Sequence, residues 1–219
     1  MLFQNVSLLC VVMREPSVRS LDTYQRGCHF FDVSGNMAEW RGSPVSLPCQ
    51  EYSNTCYTQK LEVLFKQLLK TPHDVFYYVE ADHLTCASFK VVKQLAQAYM
   101  PKYQLITTGI GASGWLFTRE WAREYITAIQ TCDKWCYCPD CIAAFLEMPR
   151  ATTRLVLTQH TSGSKAKAGL SKNDKMLPRC FQKRVKSGLN KFDWFDHNRC
   201  YKRDITPCDQ AERYILRDH

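Results

Sequence analysis

The feature that most constrains the fold is an alternation of two hydrophobic periods along the first 160 residues. Short unbroken apolar runs, of the kind a strand covered on both faces requires, alternate with segments whose apolar residues share one helical face. "NVSLLCVVM", from Asn5, reads as an opening buried strand, and "CHFFDVS", from Cys28, as a second that ends at Ser34-Gly35. Residues 34–56 are rich in Gly, Pro, Ser and Asn and read as a loop. From Thr58 to Leu69 the apolar positions are Leu61, Leu64, Phe65, Leu68 and Leu69, a spacing that predicts an amphipathic helix stopped by Thr71-Pro72.

The pattern then repeats. "VFYYVE" (75–80) is a strand, and residues 88–100 form a helix with Phe89, Val92, Leu95, Ala96 and Tyr99 on one face, ended by Pro101. "YQLITT" is a strand and "GIGASG" a loop. Thr118 caps a helix to about Gln130, anchored by Trp121, Tyr125, Ile126 and Ile129. A short helix "CIAAFLEM" and a strand-like "TRLVLTQH" close the series. Strand and helix in alternation predict an α/β domain: a mostly parallel, mixed sheet flanked by helices. The expected division is a core over residues 1–162 and a basic extension over 163–219 that packs on it and can act as a lid.

Charge and cysteine content bound the partners and the compartment. The chain of 219 residues carries a net charge of +8, which favours anionic partners. From Arg150 to Arg203 there are 14 Lys or Arg against Asp174, Asp193 and Asp196. Twelve cysteines are many for this length. Disulfides in an oxidising compartment, a zinc site and buried thiols all account for them. Asn5-Val6-Ser7 is a glycosylation sequon. The apolar run Val6–Met13 is too short to span a membrane and lacks a basic leader. Any membrane anchor is therefore expected from outside this chain.

Four stretches carry candidate chemistry. Glu80-Ala81-Asp82 ends a strand, where ligands of open parallel sheets bind, and its two carboxylates suit a hard divalent cation. They equally suit a polar strand end. Gly109-Ile110-Gly111-Ala112-Ser113-Gly114 matches G-x-G-x-x-G after a strand, but the next helix begins late, after "WLFT". It can bind a dinucleotide, border an acceptor pocket or simply turn the chain. "CDKWCYCPDC" places four cysteines within residues 132–141, closer together than separated zinc-ligand pairs. Disulfides are as good a reading there, and they would hold Asp140 in place. Asp140 also suits the N-cap of the following helix. His160 ends a strand and can ligate a metal or merely face solvent; His197 competes with it.

The order of these pieces says more than any one of them. "YYVEADH", "GIGASGWLFTRE", "PDCIAAFLE" and "TQHTS" follow one another as in the nucleotide-sugar glycosyltransferases of GT-A type. Within that group the chain most resembles the inverting β-1,3-glycosyltransferases of the fringe kind. Those have a strand ending in an acidic D-x-D metal motif, a G-G-A-G-like loop before a helix, an acidic E-D-V or P-D-D segment and an F-H-S-like histidine. The resemblance covers Asn5 to Ser162. This sequence departs from the pattern at Glu80 and Ala81 in the metal motif, at Cys141 after Asp140, and in "QH" for "FH".

The resemblance implies a manganese ion, or another divalent cation, held by Asp82 with Glu80 and completed by His160. It implies donor binding by Glu80, Asp82 and Lys60, an acceptor pocket shaped by Gly109, Gly111, Gly114 and Trp115, and Asp140 as general base. The implied partners are a UDP-sugar donor and a glycan or glycoprotein acceptor, in the lumen of the Golgi or endoplasmic reticulum, with no nucleic acid. Three other readings of the residues stay open: a zinc-binding, basic, nucleic-acid-interacting protein, a dinucleotide enzyme using the glycine loop, and a transferase fold that has lost activity.

Overall fold

The computed structural model describes residues 6–14, 27–50, 53–81, 83–100, 102–109, 114–132, 138–160 and 207–209. In chain order these form β1 (Leu8–Arg14), β2 (His29–Ser34), β3 (Met37–Trp40), β4 (Ser43–Ser46), α1 (Asn54–Leu69), β5 (Val75–Glu80), β6 (His83–Thr85) and α2 (Phe89–Tyr99). There follow β7 (Leu105–Thr107), β8 (Trp115–Thr118), α3 (Arg119–Thr131), α4 (Pro139–Phe145), β9 (Arg150–Thr153), β10 (Thr158–His160) and β11 (Pro207–Asp209).

Nine strands make one mixed sheet in the order β11-β9-β7-β8-β5-β1-β2-β3-β4, and β10 pairs with β6 in a separate ribbon. The β1–β2, β1–β5 and β7–β9 ladders are parallel, and the other five in the large sheet are antiparallel. β3, β8 and β11 therefore run against the other six. The α/β class is as expected.

Side-chain alternation sorts the strand residues into two cores, one on each face of the sheet. Leu9, Val11 and Met13 of β1, Phe76 and Tyr78 of β5, and Trp115 and Phe117 of β8 point to one face. There Leu61, Leu64, Phe65 and Leu68 of α1, Trp121 and Tyr125 of α3, and Ile142 of α4 cover them. Cys10, Val75, Tyr77, Val79, Ile106 and Leu116 point to the other face, under Val92, Leu95 and Ala96 of α2. A strand sandwiched this way must be apolar at every position, which is why "VFYYV" reads without interruption. The first core is dense in rings: Phe65 lies 4.8 Å from Phe117, and Trp121 stacks on Tyr125 at 4.9 Å.

The structure corrects several local expectations. The loop read over 34–56 contains the hairpin β3–β4, turned by Arg41 and Gly42, both at positive φ (52° and 76°). That pair of positive angles makes a tight two-residue hairpin turn. Pro44 is tolerated because β4 is the edge strand. "WLFT" is β8, a central antiparallel strand, and "TRLVLTQH" divides between the end of β9 and β10. α1 begins at Asn54 rather than Thr58, with Ser53 Oγ accepting from the Cys56 N–H at 3.1 Å as its cap. Only residues 207–209 of the basic extension are described, and they add a strand at the edge beside β9.

Three disulfides join described residues: Cys10–Cys28, Cys49–Cys56 and Cys138–Cys141. Cys86 and Cys132 are also bonded, and no cysteine is free among the described residues. Disulfides of this number belong to an oxidising, extracellular or lumenal environment. Among the described residues no helix is long and apolar enough to cross a membrane.

Candidate functional site

Three of the four candidate stretches meet at one corner of the sheet. β1, β5 and β7 end there with Arg14, Glu80 and Thr107, because they run in the same direction. β8 starts there: Trp115 pairs with Tyr78 on one side and with Thr107 on the other. Gly109 and Gly114, the described glycines of the loop, thus sit beside the strand end that carries Glu80.

The third stretch arrives from far along the chain. The Leu157 and Thr158 N–H groups donate to the Thr108 carbonyl at 2.8 and 3.1 Å. The Thr158 hydroxyl bonds the Tyr77 hydroxyl at 2.6 Å and the Thr108 hydroxyl at 2.8 Å. With its base pinned in this buried threonine cluster, β10 pairs with β6 so that His160 lies directly opposite His83. The described position of His160 is this backbone pairing; its side chain lies outside the described set, as do Asp82 and Gly111.

Glu80 is held from two sides. Tyr57, on the first turn of α1, donates its hydroxyl to Glu80 Oε1 and also bonds the Tyr78 hydroxyl. Burial, and then the Glu80 charge, push the Tyr57 phenol well above its ordinary range, so it remains a donor. The Glu80 N–H donates to His83 Nδ1 at 3.3 Å, so that nitrogen carries no proton and Nε2 does. Nε2 then faces Glu80 Oε2 at 3.8 Å, too far for a hydrogen bond but favourable in sign. His83 is only 2% exposed. At the ends of the neighbouring strands, Arg14 Nε donates to Asp32 at 2.5 Å.

This corner bears on the metal expectation. Manganese takes carboxylate oxygen. A carboxylate has about four acceptor positions, so accepting from Tyr57 is compatible with also ligating a cation. In donor chemistry Glu80 therefore fits. Among the described residues no group of three or more His, Cys, Asp or Glu is disposed to hold a metal ion.

Lys60 lies one turn beyond Tyr57 on α1 and is 3% exposed. A lysine is that deeply buried only when engaged.

Two acceptor-pocket expectations are corrected. Trp115 is fully buried, with its ring 6.1 Å from Tyr78, 5.5 Å from Trp121 and 5.7 Å from Tyr125. It is a core residue with no face for a sugar, because its position on β8 points it into the ring cluster. Gly114 is at φ +76°, and a Cβ there would stand 2.7 Å from Thr158 Cβ and collide with two threonine hydroxyls. Close packing of the loop against β10 requires this glycine. Gly109 is also buried.

The fourth stretch is set apart behind the aromatic layer. Cys138, not Asp140, caps α4: its sulfur accepts from the Cys141 N–H at 3.1 Å. Asp140 is the second helical residue, half-buried overall, with its Oδ1 sealed and without a hydrogen-bond partner. Desolvation raises its carboxyl to about 7. Tyr125 ties α4 to the rest, donating to the Pro139 carbonyl at 3.2 Å while its ring packs on Trp115.

The sequence reading missed Tyr57, Tyr78 and the pairing of His83 with His160. His83 stood next to the acidic motif, but nothing in a linear chain shows that β10 returns to it. No protein-family model matches this chain, and no curated protein matches it.

Proposed function

We propose that the chain is a metal-dependent glycosyltransferase domain of GT-A type, most like the fringe-type enzymes, that moves a sugar from a UDP-sugar to a hydroxyl of a glycan or glycoprotein. The observation that carries this reading is that the strand end at Glu80, the described loop glycines Gly109 and Gly114, and β10 lie at one corner of the sheet, across a separation of 77 residues between His83 and His160.

In this reading Asp82, Glu80 and His160 hold the cation, and Tyr57 and His83 keep Glu80 in place. When bound, the cation offsets the charge that develops on the departing diphosphate. The general base that the resemblance implies is Asp140, whose carboxyl is sealed on α4 apart from this corner, so no base is assigned at the corner itself. The acceptor oxygen bonds to the sugar carbon as its proton passes to a base, and the bond from that carbon to the diphosphate oxygen breaks. Lys60 supports the donor side, and a secretory-pathway lumen is the expected setting. No nucleic-acid partner enters this reading. Two observations disfavour the rival readings. Eight of the cysteines among the described residues are disulfide-bonded and so unable to serve zinc. The glycine loop leads into strand β8, so no helix N-terminus faces it as a dinucleotide loop requires.

The test is calorimetric titration of UDP into the oxidised protein, with and without manganese, on wild type and Asp82→Ala. Manganese-dependent binding that the variant loses is the expected result. Absence of binding by folded wild type would overturn the metal-site assignment.

A further inference from the structure

We propose that Cys138–Cys141 is a thiol–disulfide exchange centre, able to oxidise a dithiol partner and to be reduced by it. The described disulfides do unequal amounts for the fold. Cys10–Cys28 closes 18 residues and joins β1 to the start of β2, one register step before Val11↔His29. Cys49–Cys56 closes 7 residues and ties the segment after β4 to the first turn of α1. Cys138–Cys141 closes only 3 and links two residues that one helical turn already holds together. Stabilisation by a crosslink grows with the loop it closes, so of these three described bonds this one contributes least to folding and can open at the smallest cost.

The surroundings of the pair suit exchange. Cys138 is partly exposed, whereas Cys141 is 2% exposed, so an incoming thiolate reaches Cys138 and Cys141 is the leaving sulfur. The Cys141 N–H that already bonds Cys138 Sγ at 3.1 Å also stabilises negative charge there once the bond has opened. Asp140 stands between the two cysteines in the chain, with its sealed Oδ1 lacking any hydrogen-bond partner. It is a group able to carry the proton that exchange must move.

One thiolate of the dithiol attacks Cys138 Sγ, the Cys138–Cys141 bond breaks, and Cys141 leaves and takes up a proton. The second thiolate of the partner attacks its own sulfur in the mixed disulfide and releases Cys138. Two electrons pass from the partner's thiols, which become a disulfide, to the cysteine pair, which becomes two thiols.

The experiment equilibrates the full oxidised chain with glutathione at graded ratios of thiol to disulfide, quenches with acid, alkylates, and reads each cysteine pair by peptide mass spectrometry. The Cys138–Cys141 pair is expected to be half-reduced at a ratio [GSH]²/[GSSG] at least about tenfold lower than Cys10–Cys28 or Cys49–Cys56. Asp140→Asn, with its fold checked by circular dichroism, is expected to slow that exchange at least about tenfold and to alter its pH profile. Reduction of Cys138–Cys141 together with, or after, Cys10–Cys28 and Cys49–Cys56 would overturn the proposal. So would an exchange rate unchanged in Asp140→Asn. Neither nucleotide nor sugar enters this assay, so its failure is separate from failure of the transferase reading.

Discussion

Replacing Asp140 with asparagine should stabilise the protein, and should do so only above the acid range. The carboxyl has its ordinary value of 3.8 when the chain is unfolded and about 7 when folding buries it. Below 3.8 both states are protonated and the group contributes nothing. Between 3.8 and about 7 the unfolded chain releases the proton and the folded protein keeps it, so stability falls as pH rises, by about 1.4 kcal/mol per pH unit. Across that interval the loss comes to about 4 kcal/mol, complete above about pH 7. Asparagine cannot ionise and escapes it. Urea unfolding of oxidised wild type and Asp140→Asn, at steps from about pH 4 to about pH 8, would measure the difference. The gain in Asp140→Asn should be near zero at the acid end and grow towards about 4 kcal/mol at the alkaline end. A difference that does not change with pH, or a variant less stable at the alkaline end, would refute the argument. Either would mean that the carboxylate is not desolvated as its unpartnered Oδ1 implies.

Other outcomes follow from the packing. Gly114→Ala should cost about 2–3 kcal/mol, from positive φ and from overlap with Thr158, read as a lowered urea midpoint. Trp115→Ala should cost about 3–5 kcal/mol, because it empties the middle of the ring cluster; a near-neutral effect would restore the residue to a pocket wall. Tyr57→Phe removes the hydroxyl that holds Glu80 and should cost about 1.5–3 kcal/mol; manganese-dependent UDP binding should weaken in parallel. Cys10→Ala/Cys28→Ala should lower stability by about 3 kcal/mol, and more than Cys138→Ala/Cys141→Ala does.

Much of the fold was legible in the chain because its determinants are local. α2 and α3 show a one-sided apolar face, and Thr118 accepts from the Trp121 N–H at 3.1 Å, as the cap reading required. β1 and β5 are apolar up to the charged residue that ends each, Arg14 and Glu80, because helices cover both faces of the sheet. The hairpin β3–β4 was missed because its strands are four residues each, at an edge where Pro, Ser and Gly are permitted. β8 was missed because strand periodicity needs more than the four residues of "WLFT" to declare itself.

The site divides along the same line. The sequence by itself determined which chemistry was on offer: a carboxylate at a strand end, a glycine turn, an acid among cysteines and a late histidine. Only the tertiary structure decided their roles. Whether Trp115 faces a ligand or the core depends on which way an antiparallel strand pleats against β5, and it faces the core. That Gly114 must be glycine depends on two threonines, one of them 44 residues further on. That Asp140 holds its proton to about 7 depends on what encloses it, since a carboxyl in water does not. These properties arise from contacts between residues distant in the chain, and a linear pattern encodes periodicity and caps but not the burial that turns a residue type into a role.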